Sequence, residues 1–259
     1  MAWRVWGDNH ADSPPVVLSH GAQGAWSHWI RNIEALAAHR MVIAADMPGH
    51  GDSAMPETDD HDGISKAIEA GLRQIVGEGR KVDLVGFSFG GVAFANFAAR
   101  HPEMVNRLII VGCGGLDTPH GDVRLGRASG LQGEERRQML KSNLLGLMLH
   151  HEDTVDELAL HLLVVNARKA ALGNRAAQLV LPDKLVKVLP DVAVPVDAIW
   201  GEFDRPHPDP AVQEEVLRRS HPDADFRVIP GAGHWAMYER PEAFNATLLD
   251  MLAHPRGKR

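Results

Sequence analysis

Short apolar runs bounded by turn residues recur along the chain, at residues 16–19, 41–45, 82–86, 108–111, 196–200 and 226–229. They are rich in β-branched residues, the pattern of strands buried on both faces of a parallel sheet. Between the runs the apolar positions change to three- and four-residue steps, as at Trp26, Ile30, Ile33 and Leu36 and again at Ile64, Ile68, Leu72 and Ile75. That spacing predicts amphipathic helices. Strands alternating with helices need right-handed crossovers, so the expected fold class is α/β with a mostly parallel, doubly wound sheet.

The alternation breaks once, between Gly112 and Val196. Residues 133–150, 154–172 and 183–189 read as helices with no strand among them. Residues 116–192 are therefore expected to be a helical insertion over one end of a body formed by 1–115 and 193–259. Ten Lys and Arg in the insertion balance ten Asp and Glu, so the formal charge of −7 rests on the body. An acidic body argues against nucleic acid or an anionic membrane as partner. The apolar share of 44% is too high for a disordered chain. No apolar run approaches the ~20 residues of a membrane span. Residues 1–8 lack the basic-then-apolar order of a secretion signal, and the lone Cys113 has no disulfide partner within the chain. A cytoplasmic protein is expected, with a frayed basic tail at 255–259.

The chemistry starts at Gly86-Phe87-Ser88-Phe89-Gly90, which follows the run 82–85 directly and opens a helical stretch at 92–100. Composition alone would produce this glycine–serine–glycine spacing roughly 0.08 times in the chain. A strand-to-helix turn this sharp strains its central residue and needs small residues on either side. Ser88 is thereby exposed at a helix N-terminus, where the helix dipole favours developing negative charge. Serine at its ordinary pKa is a weak nucleophile and requires a base held by a further group. Both follow in the order serine, acid, histidine that accompanies this turn. Asp204 comes just after the run 196–200, with Glu202, Asp197 and Asp209 as competing acids, and His234 comes just after 226–229. The strand ends put both at the carboxyl edge of the sheet, where open α/β sheets bind ligands. Leu18-Ser19-His20-Gly21-Ala22 ends another strand, and its turn can aim the N–H of Ala22 at a substrate oxygen with the N–H of Phe89 as second donor. His20 reads as a structural histidine beneath that loop.

With these residues in order, the chain resembles the α/β-hydrolase superfamily from His20-Gly21, through the loop 46–53 and Ser88, to Asp204 and His234. The resemblance implies a helical cap inserted after the sixth strand. It also implies a serine hydrolase that cleaves a small carbonyl substrate, a carboxylic ester or related acyl compound, through an acyl-enzyme. The loop 46–53 would be a closing turn, with His50 outside the chemistry. Residues 233–245 resemble the segment that follows the histidine in hydrolases of aromatic meta-cleavage products, which break carbon–carbon bonds. That likeness implies substrate binding by Trp235 and by Arg168 of the cap, and carbon–carbon cleavage is the alternative activity. Phe87 stands where those enzymes usually carry asparagine, and His28 stands where another asparagine meets the dienol. A small-ligand receptor on the same scaffold is the alternative from a different class.

Trp26 joins His28 as a candidate substrate contact, while Trp26 and Trp29 suit simple packing equally well. Neither a dinucleotide glycine motif nor a phosphate loop follows a strand, so no cofactor is expected. His150, His151, Glu152, Asp153 and His161 lack metal-ligand spacing, and no metal is expected. The expected partner is a small-molecule substrate, with a homo-oligomer left open.

Overall fold

The computed structural model describes residues 1–8, 13–173 and 175–254. Seven strands form one sheet: β1 (Ala2–Trp6), β2 (Val16–Ser19), β3 (Val42–Asp46), β4 (Val82–Phe87), β5 (Val105–Val111), β6 (Val196–Gly201) and β7 (Phe226–Ile229), in the order β1-β3-β2-β4-β5-β6-β7. Only β1 runs antiparallel, paired with β3 from Ala2 opposite Asp46 to Trp6 opposite Val42. The six apolar runs of the sequence are the six parallel strands. β1 was not among them because its residues are half exposed and mix Trp3, Arg4 and Val5, as suits an edge.

The inner strands are buried except at Asn106 of β5, and alternate residues serve two layers. Leu84, Leu108 and Ile110 face the layer holding helices His61–Val76 and Phe89–Arg100, whereas Val85, Ile109 and Val111 face Trp29, Phe244 and Leu248. The carboxyl ends of β2, β4, β5, β6 and β7 therefore open along one edge. At the other end Asp83 of β4 is buried, taking hydrogen bonds from Arg40 at 3.1 Å and Asn106 at 2.6 Å, with Arg107 Nε 3.5 Å away. Those arginines also donate to the carbonyls of Leu252, Met251 and His254. The C-terminal helix Pro241–Ala253 is thus fastened to the sheet at the end opposite the site.

The helical insertion leaves the sheet after the fifth strand, not the sixth. The reason is at the amino end, where the described residues ahead of Val16 contribute one strand only. Between β5 and β6 lie helices Gly133–Leu147, Glu157–Arg168, Arg175–Gln178 and Lys184–Val188, with no strand among the described residues. Asp156 caps Glu157–Arg168 by accepting the Ala159 N–H at 2.8 Å. The insertion buries side chains in both layers. Leu144, Leu149 and Leu160 join the cluster of Trp235 and Ile229, and Leu172, Leu179 and Leu185 join that of Phe89 and Val92. Among the described residues, no helix is long and apolar enough to cross a membrane. The tail 255–259 lies outside the described residues.

Candidate active site

Ser88 directly follows β4 and caps the start of the helix Phe89–Arg100 with φ +51° and ψ −118°, a conformation that strains a residue with a side chain by about 1–3 kcal/mol. The glycines around it permit the turn. A Cβ on Gly86 would lie 2.4 Å from the Gly91 Cα, and one on Gly90 would lie 2.4 Å from Ser19 Oγ and 2.6 Å from the His20 carbonyl. The loop after β2 also packs on this turn, since a Cβ on Gly21 would lie 3.0 Å from Phe87 Cε1 and 3.3 Å from Ser88 Cβ. Ala22 follows in that loop, and Phe89 is the first residue of its helix. Neither of their N–H groups has a hydrogen-bond partner among the described residues. A helix N-terminus leaves such donors free, and a developing oxyanion can use them. Cys113 is fully buried behind this turn, its Sγ directed at the carbonyls of Gly86 and Val111. Burial pushes its thiol up, so it packs rather than reacts.

Asp204 and His234 come from the loops after β6 and β7. The His234 Nδ1–H donates to Asp204 Oδ2 at 2.8 Å, and both residues are buried. Burial would by itself raise the Asp204 carboxyl. The adjacent His234 charge and hydrogen bonds from His207 and His234 outweigh it and hold the group below the usual carboxylate range. Gly112, at φ +50°, gives the pair its room, because a Cβ there would lie 2.9 Å from Asp204 Oδ2. The competing acids are elsewhere: Glu202 accepts the Gly231 N–H and Asp197 the Asp225 N–H. Asp204, His207 and His234 present atoms within 4.8 Å of one another, a spacing a metal could bridge. Asp204 Oδ2 and His234 Nδ1 are already hydrogen-bonded, so the group suits a proton relay better than a metal.

His20 is a structural histidine. Its Nε2 accepts the Met47 N–H at 2.9 Å, which leaves Nδ1–H to donate to the Gly21 carbonyl at 2.8 Å. The loop 46–53 is a closing turn: Asp46 accepts N–H groups from Trp26 and Asp52 and an ion pair from Arg4. His50 Nδ1 faces the Pro48 carbonyl. His28 sits at the site, its ring 4.9 Å from that of Trp235 and 5.7 Å from that of Phe87, with a buried Nδ1 that has no partner. Burial brings this imidazole down to about 3, with His234 and His50 adding to the effect.

Of the other expected contacts, two tryptophans serve packing. Trp26 packs on Trp6 with Arg4 over its ring, because its N–H is tied to Asp46 on the β1 side. Trp29 is core, its indole N–H bonded to the Ser19 carbonyl. Trp235 is buried and spends its indole N–H on the His28 carbonyl at 2.9 Å, so it supports His28. Arg168 is exposed and lines a surface cleft of about 380 Å³ with Gln23, Arg136 and Leu163.

Three residues that sequence reasoning missed complete the arrangement: Gly112, His207 and Glu239. Gly112 stands just past a strand end, the signal that found the others. Glu239 lies five residues after His234. His207 had only its place three residues after the acid.

The Alpha/beta hydrolase family profile matches residues 16–247. The chain belongs to that family. This α/β-hydrolase is 30% identical to a 2-hydroxy-6-oxononadienedioate/2-hydroxy-6-oxononatrienedioate hydrolase of Comamonas testosteroni, over 97% of this chain and 92% of the relative. It is 31% identical to a 2-hydroxy-6-oxo-6-phenylhexa-2,4-dienoate hydrolase of Burkholderia cepacia, over 92% of this chain and 87% of the relative. Among solved structures it is similar to a serine hydrolase involved in carbazole degradation, with TM-score 0.76 and 26% identity over 97% of this chain and 93% of the other. The α/β-hydrolase is thus an enzyme whose relatives include meta-cleavage product hydrolases.

Proposed function

We propose that this α/β-hydrolase breaks a carbon–carbon bond in a 2-hydroxy-6-oxodienoate, the chemistry shared by the names of the two relatives above. The observation that carries the reading is the buried Asp204–His234 pair at the same sheet edge as the strained Ser88, in a chain alignable with those relatives almost end to end. The dienol first becomes a ketone, which lets the departing carbon leave as a stabilised enolate. His234 takes the Ser88 proton as Ser88 attacks the C6 carbonyl, Asp204 holds the imidazole tautomer, and the N–H groups of Ala22 and Phe89 receive the oxyanion. The tetrahedral adduct expels the carbon fragment, which takes the proton from His234. Water, deprotonated by His234, then releases the acyl group as a carboxylic acid. The net change is one water added across one carbon–carbon bond. His28 borders the substrate with Trp235 packed behind it, Arg168 of the cleft shared with Gln23 pairs with the substrate carboxylate, and residues 116–192 act as the cap.

A specific observation favours ester cleavage as the second reading. The Phe87 ring lies 4.8 Å from that of His234, making that wall apolar where carbon–carbon hydrolases usually have asparagine. Assay of aryl esters of increasing acyl length beside a 2-hydroxy-6-oxo-6-phenylhexa-2,4-dienoate separates the two. Turnover of the dienoate with a higher kcat/KM is expected, and turnover of esters alone would establish the ester reading. A fluorophosphonate serine probe tests the nucleophile. It should label the native chain and not Ser88→Ala; equal labelling of both would sink the assignment of Ser88 as nucleophile, and a native chain that does not label would favour a receptor.

A further inference from the structure

His207 is buried directly behind Asp204. Its main-chain N–H donates to Asp204 Oδ1 at 2.9 Å, on the oxygen that His234 leaves free. Its imidazole lies alongside, with Nδ1 buried, 3.4 Å from the same oxygen and without a hydrogen-bond partner. A nitrogen lone pair held there would face a carboxylate oxygen and be repelled, whereas an N–H would be attracted. Nδ1 therefore carries the proton, and the lone pair is on Nε2. That atom faces Gly114, where a Cβ would lie 2.8 Å away, and the ring borders a pocket of about 180 Å³ shared with Gly115, Thr118, His120, Leu181 and Pro182. The titratable groups around the ring are Asp204 on the loop after β6, His234 on the loop after β7 at 5.4 Å between rings, and His120 on the segment after β5 at 5.7 Å.

We propose that His207 is a second histidine of the acid, a positioning residue that shares the Asp204 carboxylate with His234 and sets how strongly that carboxylate supports the base. The proposal rests on the Ser88–His234–Asp204 reading. Each N–H that points at the carboxylate withdraws charge from it, so the carboxylate stabilises the imidazolium of His234 less than it would with one partner. Removing the His207 N–H would concentrate that charge on the side of the carboxylate facing His234 and favour the imidazolium there. Burial lowers the His207 imidazole against the opposing pull of Asp204, which keeps it neutral while the site works.

The test is the rate of fluorophosphonate labelling of Ser88 against pH, which reports the base without needing the natural substrate. His207→Phe keeps the ring and loses the N–H. Its acid limb should move to higher pH by about half a unit or more. His207→Asn presents an amide N–H near the place of Nδ1 and should restore the native limb. Thermal midpoints of both variants report packing separately. A His207→Phe limb that superimposes on the native one, or His207→Asn matching His207→Phe, overturns the assignment even where midpoints fall. If Ser88→Ala still labels, the triad reading fails instead, and the two failures are distinct.

Discussion

Glu239 Oε2 accepts the main-chain N–H of Gly233 at 2.6 Å, one residue before His234. The same buried carboxylate accepts the N–H groups of His150 and His151 and the Thr154 hydroxyl, all on the insertion. The Trp235 N–H adds a bond to the Met148 carbonyl at 2.7 Å. The loop carrying the base is consequently tied to the insertion on both sides of His234.

Replacing Glu239 by Ala strands several buried N–H groups, each costing about 1–3 kcal/mol when unpaired. The variant should lose several degrees of thermal midpoint, and kcat should fall more than KM rises. Glu239→Gln should fall between the two, because its amide nitrogen meets donors. Steady-state kinetics beside a melting curve checks this, and a native kcat in a destabilised Glu239→Ala would remove Glu239 from the support of His234.

Asp204→Asn retains the shape of the acid but not its charge, and it stabilises the wrong tautomer of His234. A fall in kcat of up to ~10⁴-fold is expected. An unchanged rate would show that another acid serves.

Gly90→Ala puts a methyl group against Ser19 Oγ and the His20 carbonyl, at 2.4 and 2.6 Å. The end of β2 must then move away from Ser88 and take the Ala22 N–H with it. A displacement near 1 Å in such a site costs on the order of 100-fold in rate. The chain should still fold, with circular dichroism near native, and a native rate would contradict the close approach.

Buried histidines tie the stability of the fold to pH. His28 takes a proton near 6.5 when unfolded and only at about 3 when folded, and His20 and His50 are displaced in the same direction by burial. Below pH 6.5 the unfolded chain binds more protons, so folding free energy declines as pH falls toward 3, by up to about 1.4 kcal/mol per pH unit for each such histidine. Urea midpoints at pH 7.5, 6.0 and 5.0 should fall in that order, and His28→Gln should flatten the decline. An unaltered slope in His28→Gln would mean that His28 titrates normally in the fold.

Much of this was legible in residue order. The inner parallel strands announce themselves because burial on both faces forces apolar runs, while the edge strand β7 keeps only a short run broken by exposed Arg227. Ser88, Asp204 and His234 each follow one of these runs. β1 was hidden because an edge strand beside solvent needs no such run. Trp26 and Trp235 could not be placed from the sequence, since an indole suits pocket and core alike and only its N–H partner decides. His207 and Glu239 act through bonds to main-chain groups or to residues already assigned, and those pairings exist only after folding.

The lone thiol has a practical consequence. Cys113 is sealed behind the turn at Ser88, against Gly91 and between the ends of β4 and β5. It should stay unmodified by a soluble disulfide reagent while the sheet is closed and react once per molecule when that edge opens. The chain therefore carries a built-in clock, whose labelling rate reads the opening of the catalytic turn without any added tag.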